Sequence, residues 1–79
     1  MRVTLYTKEN CRLCEEAEEA LRRARKLIQF ETEVVYIEDD PALFSQYQDR
    51  VPVLVVGGEE LASAPVDEAR LLARLSQYA

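Results

Sequence analysis

Cys11 and Cys14 are the chain's two cysteines, separated by Arg12 and Leu13 in a sequence of 79 residues. A thiol pair at this spacing has few uses. One thiolate can attack a disulfide, and its neighbour can then resolve the mixed disulfide that forms. The pair can instead supply half the ligands of a zinc site, or part of a cluster site. It can also be two small hydrophobes in a core. The chain has no histidine, so zinc would need carboxylates or a second chain to complete four ligands. An iron–sulfur cluster would have to be shared between two chains for the same reason. A disulfide between neighbours three apart closes too short a loop to be a useful staple. Dithiol–disulfide exchange is the chemistry that this spacing favours.

The surroundings bear on reactivity. Cys11 falls where a strand-like stretch gives way to a helical pattern. Helix N-termini carry unpaired N–H groups and a positive dipole end, both of which favour a thiolate. Cys11 is therefore the expected nucleophile, and Cys14, one turn along beside Ala17 and Leu21, the resolving thiol. Opposing charge follows at once in Glu15, Glu16, Glu18 and Glu19. The helix end favours the anion by roughly 0.3–1 kcal/mol. A glutamate at roughly 8 Å opposes it by about 0.5 kcal/mol before screening. The two fields nearly balance, which predicts a thiol only modestly more acidic than a free one.

The elements that hold this pair follow from periodicity. Residues 2–7, rich in β-branched and aromatic types, predict a first strand. From Cys11 to about Gln29 an apolar stripe of Leu13, Ala17, Ala20, Leu21, Ala24, Leu27 and Ile28 predicts a helix. Its outer face predicts i,i+4 pairs Glu18–Arg22 and Glu19–Arg23. Residues 30–37 read as a second strand, with alternating Glu31 and Glu33 suiting an edge. Asp39-Asp40-Pro41 opens a short helix bearing Leu43, Phe44 and Tyr47, with an Asp N-cap and Pro at its first position. Residues 51–56 form a continuous apolar strand, Gly57-Gly58 a hairpin turn, and residues 59–62 the returning strand. Residues 67–78 predict a last helix, with Ala69, Leu71, Leu72 and Leu75 facing inward. The order β-α-β-α-β-β-α makes an α/β domain. Its simplest sheet is four-stranded and mixed, in the order 2-1-3-4, with helices on both faces.

Composition bounds the rest. Residues 1–79 make a single domain. A net charge of −5 argues against nucleic acid or an anionic membrane as partner. No apolar run reaches spanning length and no signal segment is visible. A cytoplasmic location is expected, where close cysteines are catalytic or metal-binding more often than structural.

Tyr6-Thr7-Lys8-Glu9-Asn10-Cys11-Arg12-Leu13-Cys14 resembles the strand–Lys-x-x-Cys-x-x-Cys opening of glutaredoxin-like proteins in the thioredoxin superfamily. Val51-Pro52-Val53-Leu54-Val55-Val56-Gly57-Gly58 resembles their Val-Pro-strand-Gly segment. Together the likeness covers essentially the whole chain. Asn10 and Leu5 stand where thioredoxins proper carry Trp and a buried Asp, so the glutaredoxin branch is the better match.

The resemblance implies a thioredoxin-like fold and a thiol–disulfide oxidoreductase in which Cys11 attacks and Cys14 resolves. It implies a cis bond before Pro52, and a Val51 backbone that meets the substrate. Lys8 matches the family lysine that contacts glutathione's glycyl carboxylate or steadies the thiolate. Arg50 replaces the usual Thr, as a second cation near Cys11 or as a surface side chain. Asp67 matches the aspartate that, with a glycine pair, holds the γ-glutamyl end of glutathione. Here the glycines are absent from Leu61-Ala62-Ser63-Ala64-Pro65-Val66, and Arg12-Leu13 replaces the common Pro-Tyr between the cysteines. No tightly bound cofactor is expected, and glutathione would be a co-substrate. The partners implied are a disulfide-containing protein or glutathione mixed disulfide, and a reductase. A monomer is expected. Two alternatives stay open: a binding or redox-sensor module of this fold, and a dimer bridged by a metal or cluster.

Overall fold

A computed structural model describes residues 1–78. The elements run β1 (Arg2–Thr7), α1 (Arg12–Ala24), β2 (Glu31–Tyr36), a 3-10 turn (Ile37–Asp39), α2 (Pro41–Tyr47), β3 (Val53–Val56), β4 (Glu59–Ser63) and α3 (Glu68–Ser76). The sheet order is β2-β1-β3-β4, as the sequence predicts. β1 pairs parallel with β2 and antiparallel with β3, so Leu5 lies opposite Val34 on one side and Leu54 on the other. β3 and β4 form the hairpin, with an irregularity between Leu54 and Val55.

Alternation along β1 divides the interior into two layers. Val3 and Leu5 face α1 and α3. They pack with Ala17, Ala20, Leu21 and Ala24 of α1, Leu54 and Val56 of β3, and Leu71 and Leu75 of α3. Alanines on α1 leave little side-chain bulk between helix and sheet. Each buried Leu or Val here contributes about 1.5–3 kcal/mol of transfer free energy. Tyr6 belongs to the opposite face, where it packs with Leu43 and Tyr47 of α2 against Cys11, Cys14, Ile37 and Val51.

Several boundaries differ from expectation, each for a local reason. α1 ends at Ala24, not near Gln29, because its last turn tightens. The Lys26 N–H donates to the Arg23 carbonyl, and the Leu27 and Ile28 N–H groups both donate to the Ala24 carbonyl. Past that turn the stripe loses its period, and Leu27 is 73% exposed. β3 begins at Val53 instead of Val51, since Pro52 lacks an N–H and the Val51 N–H donates to the Tyr47 carbonyl at 3.1 Å. α2 starts as predicted, with the Asp40 carboxylate accepting from the Ala42 and Leu43 N–H groups, but its Phe44 is exposed. In α3, Leu71 and Leu75 are buried, while Ala69 faces solvent. The expected Glu18–Arg22 and Glu19–Arg23 pairs give way to Glu19–Arg22 and a cross-helix pair. The Arg23 Nε and Nη2 each donate to the Glu68 carboxylate of α3 at 2.8 Å. A two-pronged partner on a facing helix outcompetes a floppy one on the same helix.

Candidate active site

β1 delivers the chain into a short loop whose last residue, Asn10, has φ of +55°. Asn tolerates this left-handed region better than most residues, and it turns the chain into α1. Cys11 is the N-cap of that helix, in extended conformation, and its Sγ accepts from the Cys14 N–H at 3.2 Å. The sulfur therefore takes the place that a Ser or Asp oxygen usually fills. Cys11 and Cys14 are joined as a disulfide, with their Cα atoms 5.2 Å apart. Both cysteines are buried, Cys11 at 8% exposure slightly less so than Cys14 at 2%.

The floor beneath is apolar. Val51 and Ile37 pack on the pair, Pro52 is buried, and the Tyr6 and Tyr47 rings stack with centroids 4.9 Å apart. The Val51–Pro52 peptide bond is cis, as is Ala64–Pro65. The Val51 N–H is already committed to the Tyr47 carbonyl.

The remaining candidates each have a partner of their own. The Lys8 Nζ donates to the Gln48 carbonyl at the end of α2, 3.5 Å away. Arg50 pairs with Glu60 of β4, and its guanidinium lies 5.7 Å from the Tyr47 ring centroid. Such stacking suits a planar cation over an aromatic face. The Arg50 carbonyl accepts from the Ala64 N–H at 3.3 Å, which ties the β4–α3 loop to the approach to Val51. The Asp67 side chain is the N-cap of α3 and accepts from the Arg70 N–H at 3.0 Å. Sequence reasoning missed Tyr47 and Glu60 as partners of Arg50. It also missed an open groove between α1 and residues 65–68, which Leu13 lines. Leu13 shares an arc with Ala17 and Ala20, yet is 45% exposed.

The Arg23 hydrogen bonds hold the Glu68 carboxyl below the ordinary carboxylate range, and the same contact raises the Arg23 guanidinium. Among the described residues no group of three or more His, Cys, Asp or Glu is placed to hold a metal ion. Among them no helix is long and apolar enough to cross a membrane.

A two-cysteine helix start and a cis-proline just before β3, on a sheet in the order 2-1-3-4, define a redox-type site on a thioredoxin-like scaffold. The family model of the glutaredoxin-like domain (DUF836) matches residues 2–76, and the chain belongs to that family. Among solved structures, the X-ray structure of target protein XcR50 from X. campestris is 43% identical. It aligns over 95% of this chain and 96% of its own, with a TM-score of 0.82. The solution structure of Ne2328 from Nitrosomonas europaea is 38% identical over 94% of this chain and 89% of its own, with a TM-score of 0.80. Thioredoxin 1 from Thermosipho africanus shares the fold at 14% identity, over 99% of this chain and 93% of its own, with a TM-score of 0.72. Among curated proteins no match was found.

Proposed function

We propose that this chain is a thiol–disulfide oxidoreductase that reduces protein or mixed disulfides. The observation that carries the reading is the Cys11 sulfur at the helix N-cap, receiving an N–H from Cys14, with the second thiol buried beneath. The reduced Cys11 thiolate attacks one sulfur of the substrate disulfide. That S–S bond breaks, and the departing thiolate takes a proton. Cys14 loses its proton and attacks Cys11, which breaks the mixed disulfide and releases the second substrate thiol. Two electrons have then passed from the dithiol to the substrate, leaving the Cys11–Cys14 disulfide.

Positioning falls to the apolar floor. Val51, which packs with the pair, and its neighbour Pro52 position the substrate chain, and the Val51 carbonyl accepts from a substrate N–H. Lys8 adds positive potential at the rim, while Arg50 acts through Tyr47 and not on the sulfur. Asp67 holds the start of α3. The domain works as a monomer in a reducing compartment. It is recharged by an external thiol or dithiol reductant, and glutathione visits as co-substrate without being retained. The test is reduction of hydroxyethyl disulfide with dithiothreitol as electron donor. Catalysed turnover that disappears in Cys11→Ser supports the reading. A rate no higher than that of dithiothreitol alone would leave the fold a binding or sensing module.

A further inference from the structure

An open groove of about 380 Å³ lies between α1 and the start of α3. Its apolar lining is Leu13, Ala17 and Ala20 of α1 on one side and Pro65 and Val66 on the other. Leu13 stands between the two cysteines in sequence. The Ala64 N–H, one residue before Pro65, donates to the Arg50 carbonyl, one residue before Val51, and Val51 packs with the cysteines. From Leu13 to Arg23 the helix rises about 15 Å, at about 1.5 Å per residue. An extended peptide of four or five residues, at about 3.3 Å each, fits that length.

Charge decides what kind of peptide. Glu16, Glu19 and Glu68 rim the groove, with Arg23 as the one basic lining residue, and Arg23 is committed to Glu68. Over its first two turns α1 carries Glu15, Glu16, Glu18 and Glu19 against Arg12. The arginines that pair with Glu16 and Glu19 do so from exposed positions, and such pairs exchange readily for a ligand's cation. Near the site, Lys8 donates to a backbone carbonyl and Arg50 is paired with Glu60. The groove thus offers an anion little and a cation several carboxylates.

Resting on the oxidoreductase reading above, we propose that this groove docks the segment flanking a substrate protein's disulfide, and that it selects segments combining an apolar residue beside the cysteine with lysine or arginine beyond it. The apolar residue covers Leu13 and Pro65, and the basic one reaches Glu16 or Glu19. Complementary charge of this kind acts chiefly on the encounter rate and weakens with salt.

The test uses the reduced full-length protein and two short peptides. Each carries one cysteine as its thionitrobenzoate mixed disulfide and a leucine beside it. They differ in having two lysines or two glutamates farther along. Attack of Cys11 on the peptide sulfur expels thionitrobenzoate, whose release gives the rate. At low salt the lysine peptide should react about tenfold faster than the glutamate peptide, and the gap should shrink in high salt. In Glu16→Gln/Glu19→Gln the lysine-to-glutamate rate ratio should fall to about two or three. Glu31→Gln/Glu33→Gln removes the same charge from β2 and should leave that ratio within about twofold of the parent. Equal rates for the two peptides, or an equal collapse of the ratio in both variants, would overturn the groove assignment. If hydroxyethyl disulfide is reduced in such a case, the oxidoreductase reading survives alone. If neither peptide nor hydroxyethyl disulfide reacts, both readings are lost.

Discussion

The backbone N–H of Cys14 points at the sulfur of Cys11 from 3.2 Å, so the second cysteine serves the first through its amide as well as its thiol. When the pair is reduced, that N–H and the neighbouring free N–H groups of α1 face a developing anion. Cys14 lies one turn inside α1, in the apolar cluster with Ile37 and Val51. Iodoacetamide at neutral pH should therefore label Cys11 first, as read by peptide mass mapping. Cys11→Ser should lower disulfide exchange by at least about a hundredfold, since the attacking thiolate is gone. Cys14→Ser should accumulate a long-lived mixed disulfide on Cys11. Faster alkylation of Cys14 would reverse the two roles.

The glutamates of α1 oppose the same anion. Glu15 lies in the helix's first turn, and Glu16 pairs with a highly exposed Arg12 that screens it weakly. Removing both charges in Glu15→Gln/Glu16→Gln should favour the thiolate. In the reduced protein, thiolate absorbance should rise at lower pH than in the parent, and the displacement should shrink as salt increases. An unmoved titration would reduce these side chains to a solvated helix face.

Glutathione meets this site on poor terms. Close backbone approach suits glycine, and the end of β4 and the loop after it present Ser63 and Ala64. Lys8 and Arg50 each already have a partner. Deglutathionylation of a glutathione–peptide mixed disulfide should run at least about tenfold slower than reduction of a basic peptide disulfide at equal concentration, a difference of at least about 1.4 kcal/mol in transition-state free energy. Saturable turnover with glutathione at comparable rate would show that Ser63 and Ala64 serve in place of glycines.

The Arg23–Glu68 pair ties α1 to α3 from the surface, and its pH dependence has a definite sign. The pair depresses the Glu68 carboxyl in the folded chain. Its stabilising share is therefore present above the unfolded carboxylate value and is lost as pH falls through the lower, folded value. Thermal unfolding of the parent, Arg23→Gln, Glu68→Gln and the double variant forms a cycle that isolates the coupling. The coupling should be small and positive near neutrality, weaker in high salt, and absent in strong acid. A coupling that persists in acid would mean that packing, not charge, joins the two side chains.

Local rules made much of this architecture legible. Asp40-Pro41 is a helix start whichever fold surrounds it, and Gly57-Gly58 turns a hairpin on torsional grounds alone. The cysteine pair announced its chemistry by spacing and by the helix that follows. Leu13 and Leu27 show where such reading stops. Periodicity says which residues share an arc, not whether another element covers them, so one stripe contained a groove wall and an exposed turn residue. Charged partners were hidden for another reason. Lys8 finds Gln48 forty positions away, and Arg50 reaches Glu60 across a strand. Both contacts depend on where the sheet delivers a side chain, which local pattern does not encode.

At the hairpin between β3 and β4, Gly57 and Gly58 have φ of +56° and +82°. An L-alanine Cβ at either position would meet nothing within 4 Å. Whatever such a substitution costs there, about 1–2 kcal/mol by the general preference of L-residues, is torsional and not steric. The backbone at these two residues has the handedness natural to D-amino acids. D-alanine at Gly57 would therefore sit in its favoured basin and restrict the unfolded chain more than glycine does. At this bend the backbone's handedness, and not crowding, is what disfavours an L-residue.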